Sequence, residues 1–271
     1  MAIATFEDLE LSGWSERAEA YDDHFGRVTG GAIEPLLGLL TDDLSGLDLL
    51  DVCAGTGHLA AAAAARGANV KAIDFAATMV GLAQTNHPGI DFSQGDAQDL
   101  AYPDVRFDAV TCCFGLLHLA DAEAAMAEAC RVLKPGGRYA FAAWQGPRGH
   151  DLSALVLPAI EAHGTFDVDL PPAPPIFRFG KPEVCAELLT AAGFTGVETQ
   201  KLPLYWQTPE PEDVLTMIRR STVRTAMILD RQTPQAREKI DAHILEDARA
   251  RQADGGITLT FPALLVAATK A

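Results

Sequence analysis

The chain has 271 residues, 48% of them hydrophobic, and a formal net charge of -16 from 37 acidic against 21 basic residues. That length suits one large α/β domain with an elaboration. The acidic balance argues against nucleic acid, whose binding leaves a basic footprint, and fits a small or apolar partner better than an acidic polymer. The longest apolar runs are too short and too Ala-rich to span a bilayer, and the first stretch, MAIATFEDLELSGW, is acidic where a secretory leader would be basic and then apolar. Five cysteines with no paired CxxC spacing give neither a disulfide framework nor a zinc site. A soluble protein of the cytoplasm, without membrane insertion and without a metal, is the expectation.

In chain order, helical patterns over 14–25 and 32–40 come first. Alternation follows: a strand over 47–53, a helix over 58–66, a strand over 69–74, a helix over 76–86 and a short strand over 90–94. A strand over 107–114, a helix over 122–133 and a strand over 138–144 complete it. Strands alternating with helices imply βαβ units around a mostly parallel, buried sheet. Beyond Trp144 the pattern loosens. A helix over 152–162 precedes the proline-rich 170–176. Then come a helix over 182–192, a strand over 197–206, helices over 212–229 and 234–251, and a last strand over 257–267. These add up to a doubly wound, Rossmann-like, seven-stranded, mostly parallel sheet with a helical N-terminal segment and a C-terminal helical insertion. One domain is expected, with the N-terminal segment over 1–44, its core over 45–145 and an elaboration over 146–271.

The strongest local feature is LLDVCAGTGHLA at 49–60. A strand runs into Ala54, Gly55, Thr56 and Gly57, and a helix starts at once, so glycines allow a sharp turn and the helix N-terminus offers unpaired N–H groups. Such a loop, with Asp74 at the end of the next strand, also fits a dinucleotide site. Asp51 just before the turn is awkward beside a pyrophosphate but favourable beside a ligand carrying ammonium and sulfonium charges. Asp96, in GDA at 95–97, puts a further acid on the same sheet edge, and LKPGG at 133–137 leads into the fifth strand.

DVCAGTG, AIDFA, GDA, FDAVTCCFGLLHLAD and RVLKPGG, in that order, resemble the class I S-adenosylmethionine (SAM) dependent methyltransferases, nearest the ubiquinone/menaquinone-biosynthesis type of small-molecule enzyme. The resemblance covers about 47–144, with an echo in AEAYD at 18–22. It implies SAM as cofactor and a small, partly apolar methyl acceptor, with the helical N-terminal segment over 1–44 as a cover and the elaboration over 146–271 as the substrate side. It further implies that Gly55, Thr56 and Gly57, with Asp51 and Ala54 beside them, hold the methionine end, and that Asp74 accepts from the ribose hydroxyls. Phe75 and Met79 would flank adenine, Asp96 and Ala97 would bond its edge, and Cys113 stands where relatives often show serine.

For a base, His24, His118 and His150 are candidates that no neighbouring pattern singles out. Trp14, Tyr21, Phe25, Trp144, Phe166, Phe177, Phe179, Tyr205 and Trp206 are candidate pocket walls. Arg219, Arg220 and Arg224 read as a solvated helix face, or as contacts to an anionic acceptor. The insertion over 207–256 carries apolar helical faces that could roof an acceptor pocket or form a homodimer interface. Two other functions fit parts of the pattern: a SAM-binding protein of this fold that does not methylate (a regulator or a cyclase), and an NAD-dependent oxidoreductase.

Overall fold

The computed structural model describes residues 4–253 and 255–271. Seven strands form one open sheet in the order β3-β2-β1-β4-β5-β7-β6. They are β1 (Asp48–Val52), β2 (Asn69–Asp74), β3 (Asp91–Gln94), β4 (Phe107–Cys113), β5 (Leu133–Trp144), β6 (Phe194–Thr208) and β7 (Ile257–Lys270). β1 to β5 are parallel, whereas β7 runs antiparallel to both β5 and β6. Eleven α-helices are described. Before the sheet lie α1 (Phe6–Asp23), α2 (Phe25–Gly30) and α3 (Ile33–Gly38); α4 (His58–Ala65), α5 (Ala77–Asn86) and α6 (Ala122–Val132) link the parallel strands. After them come α7 (Asp151–His163), α8 (Pro182–Ala191), α9 (Pro211–Ser221), α10 (Arg224–Asp230) and α11 (Pro234–Ala250). Among the described residues no helix is long and apolar enough to cross a membrane.

Both faces of the sheet are covered. One apolar layer joins Leu49, Ala109, Ala140, Leu265 and Ala267 to the N-terminal helices, α7 and the insertion. The other joins Leu50, Val110, Phe141, Leu264 and Val266 to α6 and α8. Alternate residues of one strand feed opposite layers, which is why these strands read as unbroken apolar runs. The edge strand β6 is mostly exposed, and Lys201 and Pro203 blunt it against further pairing.

Element boundaries differ from the expectations in four instructive places. Helix α1 begins at Phe6, eight residues before the apolar pattern starts, because Thr5 and Asp8 form a capping box that satisfies the first-turn amides. The expected helix over 212–229 is broken into α9 and α10. There the Ser221 and Thr222 hydroxyls bond the Met217 and Ile218 carbonyls one turn back, and the backbone at Thr222 is extended. Strand β5 starts at Leu133, since LKPGG is itself a bulge between the Phe107–Leu133 and Ala109–Arg138 pairs. The last strand continues to Lys270, well inside the sheet.

Candidate functional site

Chain direction along the sheet reverses between β1 and β4, and in open α/β sheets the crevice outside such a switch point is where ligands bind. The residues just beyond both strands, Cys53 (φ 54°) and Phe114 (φ 59°), adopt left-handed backbone conformations. Non-glycine residues rarely do so, and strain of this kind gathers at functional sites. Gly115 follows, and a Cβ there would fall 2.4 Å from the Cys53 Cβ, so the two strand ends meet too closely for any side chain. The sequence reading missed Gly115; its signal is a glycine immediately after a buried strand.

Beyond Cys53 the loop turns through Gly55 (φ 55°) and Gly57 (φ 89°) into α4. Asp74 holds that loop in place. One of its carboxylate oxygens accepts from the Gly55 N–H at 2.8 Å and the other from the Ala76 N–H at 3.0 Å. Burial raises its pKa, opposed by those amides. Each oxygen keeps a further lone pair, so the group can still accept from hydroxyls. Nothing stands within 4 Å of a Cβ placed on Gly55, which leaves the loop open to a ligand.

Asp51 is almost fully buried; it accepts from the Thr111 hydroxyl at 2.8 Å through one oxygen, while the other is buried without a hydrogen-bond partner. Burial pushes its pKa up to about 7, with the nearby Asp74 charge acting the same way, against the pull of the Thr111 hydroxyl. A buried, unmatched acceptor is costly on its own and suits a cationic group arriving beside it.

Helix α1 lies across the same edge. Asp22 Oδ1 accepts from the Thr56 hydroxyl and meets His58 Nε2, each at 2.6 Å, which staples the helix to the glycine loop. Tyr21 bonds the Thr29 hydroxyl, and Gln98 reaches Glu7 on α1 and accepts from the Asp121 amide. Asp22 and Gln98 were not singled out from sequence, because their partners lie far along the chain.

A cleft of about 270 Å³ opens on this edge, lined by Phe75, Gly95, Asp96, Ala97, Cys53 and His118, with Glu7, Asp8 and Leu11 from α1. A larger hollow of about 350 Å³ lies at the opposite, amino edge of the strands. Its cations are already matched, Lys71 by Asp91 and Arg106 by Asp48.

The structure therefore brings Asp51, Ala54, Gly55, Thr56, Gly57, Asp74, Phe75, Asp96 and Ala97 to one edge. Met79 stands apart from the cleft lining, buried against Ala18 and Ala76 beneath α1. Cys113, half-buried, packs against the core. Among the histidines, His118 lines the cleft, whereas His24 sits at the junction of α1 and α2. His150 is buried among Trp144, Phe177 and Phe261, with ring centroids 5.3–5.5 Å away, and burial lowers its pKa to about 4. The same aromatic group includes Phe114 stacked on Trp144 at 3.9 Å, and Phe25 from α2. Phe166 and Tyr205 are exposed instead.

A family model described as "Methyltransferase domain" matches residues 50–141, which contain the loop, Asp74, Asp96 and His118. The chain is 35% identical over 172 residues to the ubiquinone/menaquinone biosynthesis C-methyltransferase of Bradyrhizobium sp., covering 57% of this chain and 68% of that one. The chain belongs to the class I SAM-dependent methyltransferases. Within that family it is 42% identical over 102 residues to the demethylmenaquinone methyltransferase of Renibacterium salmoninarum, spanning 38% of this chain and under half, 43%, of that relative. In fold it is similar to a solved [4+2]-cyclase, at TM-score 0.53 and 24% identity, covering 89% of this chain and 82% of the other. The methyltransferase fold, with its antiparallel β7 between β5 and β6, is thus established for this chain.

Proposed function

We propose that this protein binds SAM at the carboxyl edge of β1 and β2 and transfers its methyl group to a small, partly apolar acceptor. The observation that carries the reading is the paired use of two buried carboxylates. Asp74 spends one lone pair of each oxygen on the loop, and Asp51 keeps a buried oxygen with no partner. SAM, when bound, supplies a methyl carbon activated by positive sulfur.

In this reading the chain's own residues mainly bind, align and exclude water. Asp74 accepts from the ribose hydroxyls, and the free oxygen of Asp51 faces the ammonium end. Gly55, Thr56 and Gly57 let the ligand approach the backbone, with Ala54 at their start. Phe75 covers the adenine, and Asp96 and Ala97 meet its edge; Met79 supports the site from beneath α1. Helix α1, stapled through Asp22, is the cover. The aromatic group around Trp144 and the helices α9 to α11 form the acceptor side, consistent with relatives whose names indicate quinone-type acceptors. The acidic surface favours a small molecule over nucleic acid, and we further propose a cytoplasmic protein that needs no metal.

Calorimetry of the purified chain with SAM, S-adenosylhomocysteine and NADH tests this. Micromolar binding of the first two and none of NADH supports it; tight NADH binding overturns it in favour of an oxidoreductase. A second reading is a protein of this fold, regulator or cyclase, that binds SAM without consuming it. Bound SAM that survives incubation with a metabolite extract, with no S-adenosylhomocysteine released, would support that reading instead.

A further inference from the structure

One histidine of the cleft wall is paired with a buried carboxylate behind it, and neither has a part in the proposed cofactor contacts. His118, in the turn after β4, lies on the cleft wall near Cys53, and its Nδ1 stands 2.7 Å from Glu10 Oε2 on α1. Glu10 is charged in character yet its side chain is only 3% exposed, against 25% for His118. A carboxylate is rarely held in such surroundings unless it is hydrogen-bonded for a purpose. The Trp14 indole N–H also donates to Glu10 Oε2, at 3.2 Å.

Indole is only a donor, so that oxygen is already in use as an acceptor, and an ionised carboxylate has nothing to donate. With Glu10 as a carboxylate, Nδ1 is the donor in its contact with His118. When the ring is neutral, the lone pair is then on Nε2, which has no partner among the described residues. Trp14 fixes the plane of the ring as well, standing edge-on to it at 4.8 Å. A histidine with its tautomer set by a buried carboxylate is the arrangement of a general base.

Resting on the proposed function, we infer that His118 Nε2 takes the proton of the methyl acceptor and that Glu10 is its positioning residue. The acceptor is accordingly one whose nucleophilic atom carries a proton: a hydroxyl, an amine or an acidified carbon. On oxygen or nitrogen a lone pair forms the bond to the methyl carbon, and the pair of the broken bond to hydrogen stays on that atom; on carbon the pair left by the departing proton forms the new bond. The carbon–sulfur pair stays on sulfur, and the proton passes to Nε2, giving an imidazolium beside the Glu10 carboxylate. Other charges face the pair. Glu7 and Asp8 of α1 and Asp96 line the same cleft, Asp74 interacts with His118 from the end of β2, and Arg224 of α10 acts on Glu10. Most are negative, so the charges around the ring complement the positive charge that the transferred proton brings.

Nitrogen NMR of the full chain, histidine-labelled and saturated with methyl-13C SAM, tests the inference without knowing the acceptor. The His118 signals are assigned by their loss in His118→Asn. The expected result is a pyridine-type Nε2, a protonated Nδ1, and cross-relaxation from the ring protons of His118 to the SAM methyl. A protonated Nε2, or cross-relaxation to adenine with none to the methyl, overturns it. In Glu10→Gln, an isosteric change that preserves the packing, SAM affinity should stay within about threefold. The pyridine-type Nε2 population should meanwhile fall by about half or more. An unaltered tautomer in that variant removes Glu10 from the role. Failure of the wild-type chain to bind SAM at all is a different result, since it overturns the proposed function itself.

Discussion

The half of the molecule proposed to hold the cofactor, β1 to β4 with its loops, and the half proposed to take the acceptor, α7 to α11 with the end of β5, are held by different physics. In the first half short-range hydrogen bonds dictate position: the Asp74 oxygens pin two amides, and Asp51 leans on Thr111. Backbone conformations there are also special, with Gly55, Gly57, Cys53 and Phe114 all at positive φ. In the second half apolar faces interlock: Val214, Met217, Ile218, Ile240 and Ile244 are fully buried with the sheet, and α9 packs on α1 while α11 packs on α7. Many sequences satisfy apolar packing, but few satisfy a turn that needs glycine beside a strand-end acid. The family model, matched over residues 50–141, falls largely in the first of these halves.

The largest expected effect falls on the hydrogen-bonded half. Asp74→Ala should weaken SAM binding by about 1.5–3 kcal/mol for each hydroxyl bond lost, tenfold or more in Kd by calorimetry. Unchanged affinity would remove Asp74 from the site. Unfolding curves of the variant would separate loss of the ligand bond from collapse of the loop that Asp74 supports.

The packed half should respond to volume rather than charge. Gly13 of α1 lies so close to α10 that a Cβ would come 2.4 Å from Val223 Cγ1. Gly13→Ala should therefore cost about 1–3 kcal/mol, seen as a lower Tm, as overpacking does elsewhere. An unshifted Tm would show that α1 lifts freely from the insertion. Cutting out 207–256 altogether is too blunt a test, because it exposes the core face that Met217 and Ile244 cover.

Acid should distinguish the halves too. His150 is held neutral among aromatic rings with a folded pKa of about 4, below its ordinary 6.5. Its contribution is present above pH 6.5 and is lost as pH falls from there toward 4, by up to about 3 kcal/mol. His150→Phe should flatten that acid limb in denaturant titrations; an identical slope would show that another group carries it.

Asp51 has the opposite sign. Its folded pKa, raised to about 7 from 3.8, favours the protonated form, so the stabilising contribution is complete below pH 3.8 and is lost as pH rises through 7. Asp51→Asn should stabilise the ligand-free protein at pH 8 by about 1 kcal/mol or more, with little effect at acid pH, while weakening SAM binding. Equal stability at both pH values would mean that the carboxylate is better solvated than its burial implies. The smallest effect is at the start of α1, where Thr5→Ala should cost about 1 kcal/mol by loss of the cap.

The order of strands and helices up to Trp144, the glycine turn and the two strand-end acids were legible in the sequence because their requirements are local. A turn at positive φ needs glycine, and a parallel strand buried on both faces needs an apolar run. Seven strands in a mostly parallel sheet were legible too, whereas the antiparallel place of β7 between β5 and β6 was not. Tertiary structure alone decided what crosses long stretches of chain. The Glu10–His118 pair, the Asp22 staple on Thr56, the close meeting of Gly115 with Cys53 and the burial of His150 all join residues whose separation no periodicity records. Equally, the break between α9 and α10 was hidden, since apolar spacing continues across it while hydroxyls at Ser221 and Thr222 divert the backbone bonds. Pattern reports what each residue prefers, whereas a site is made by which distant residues the packed layers force together.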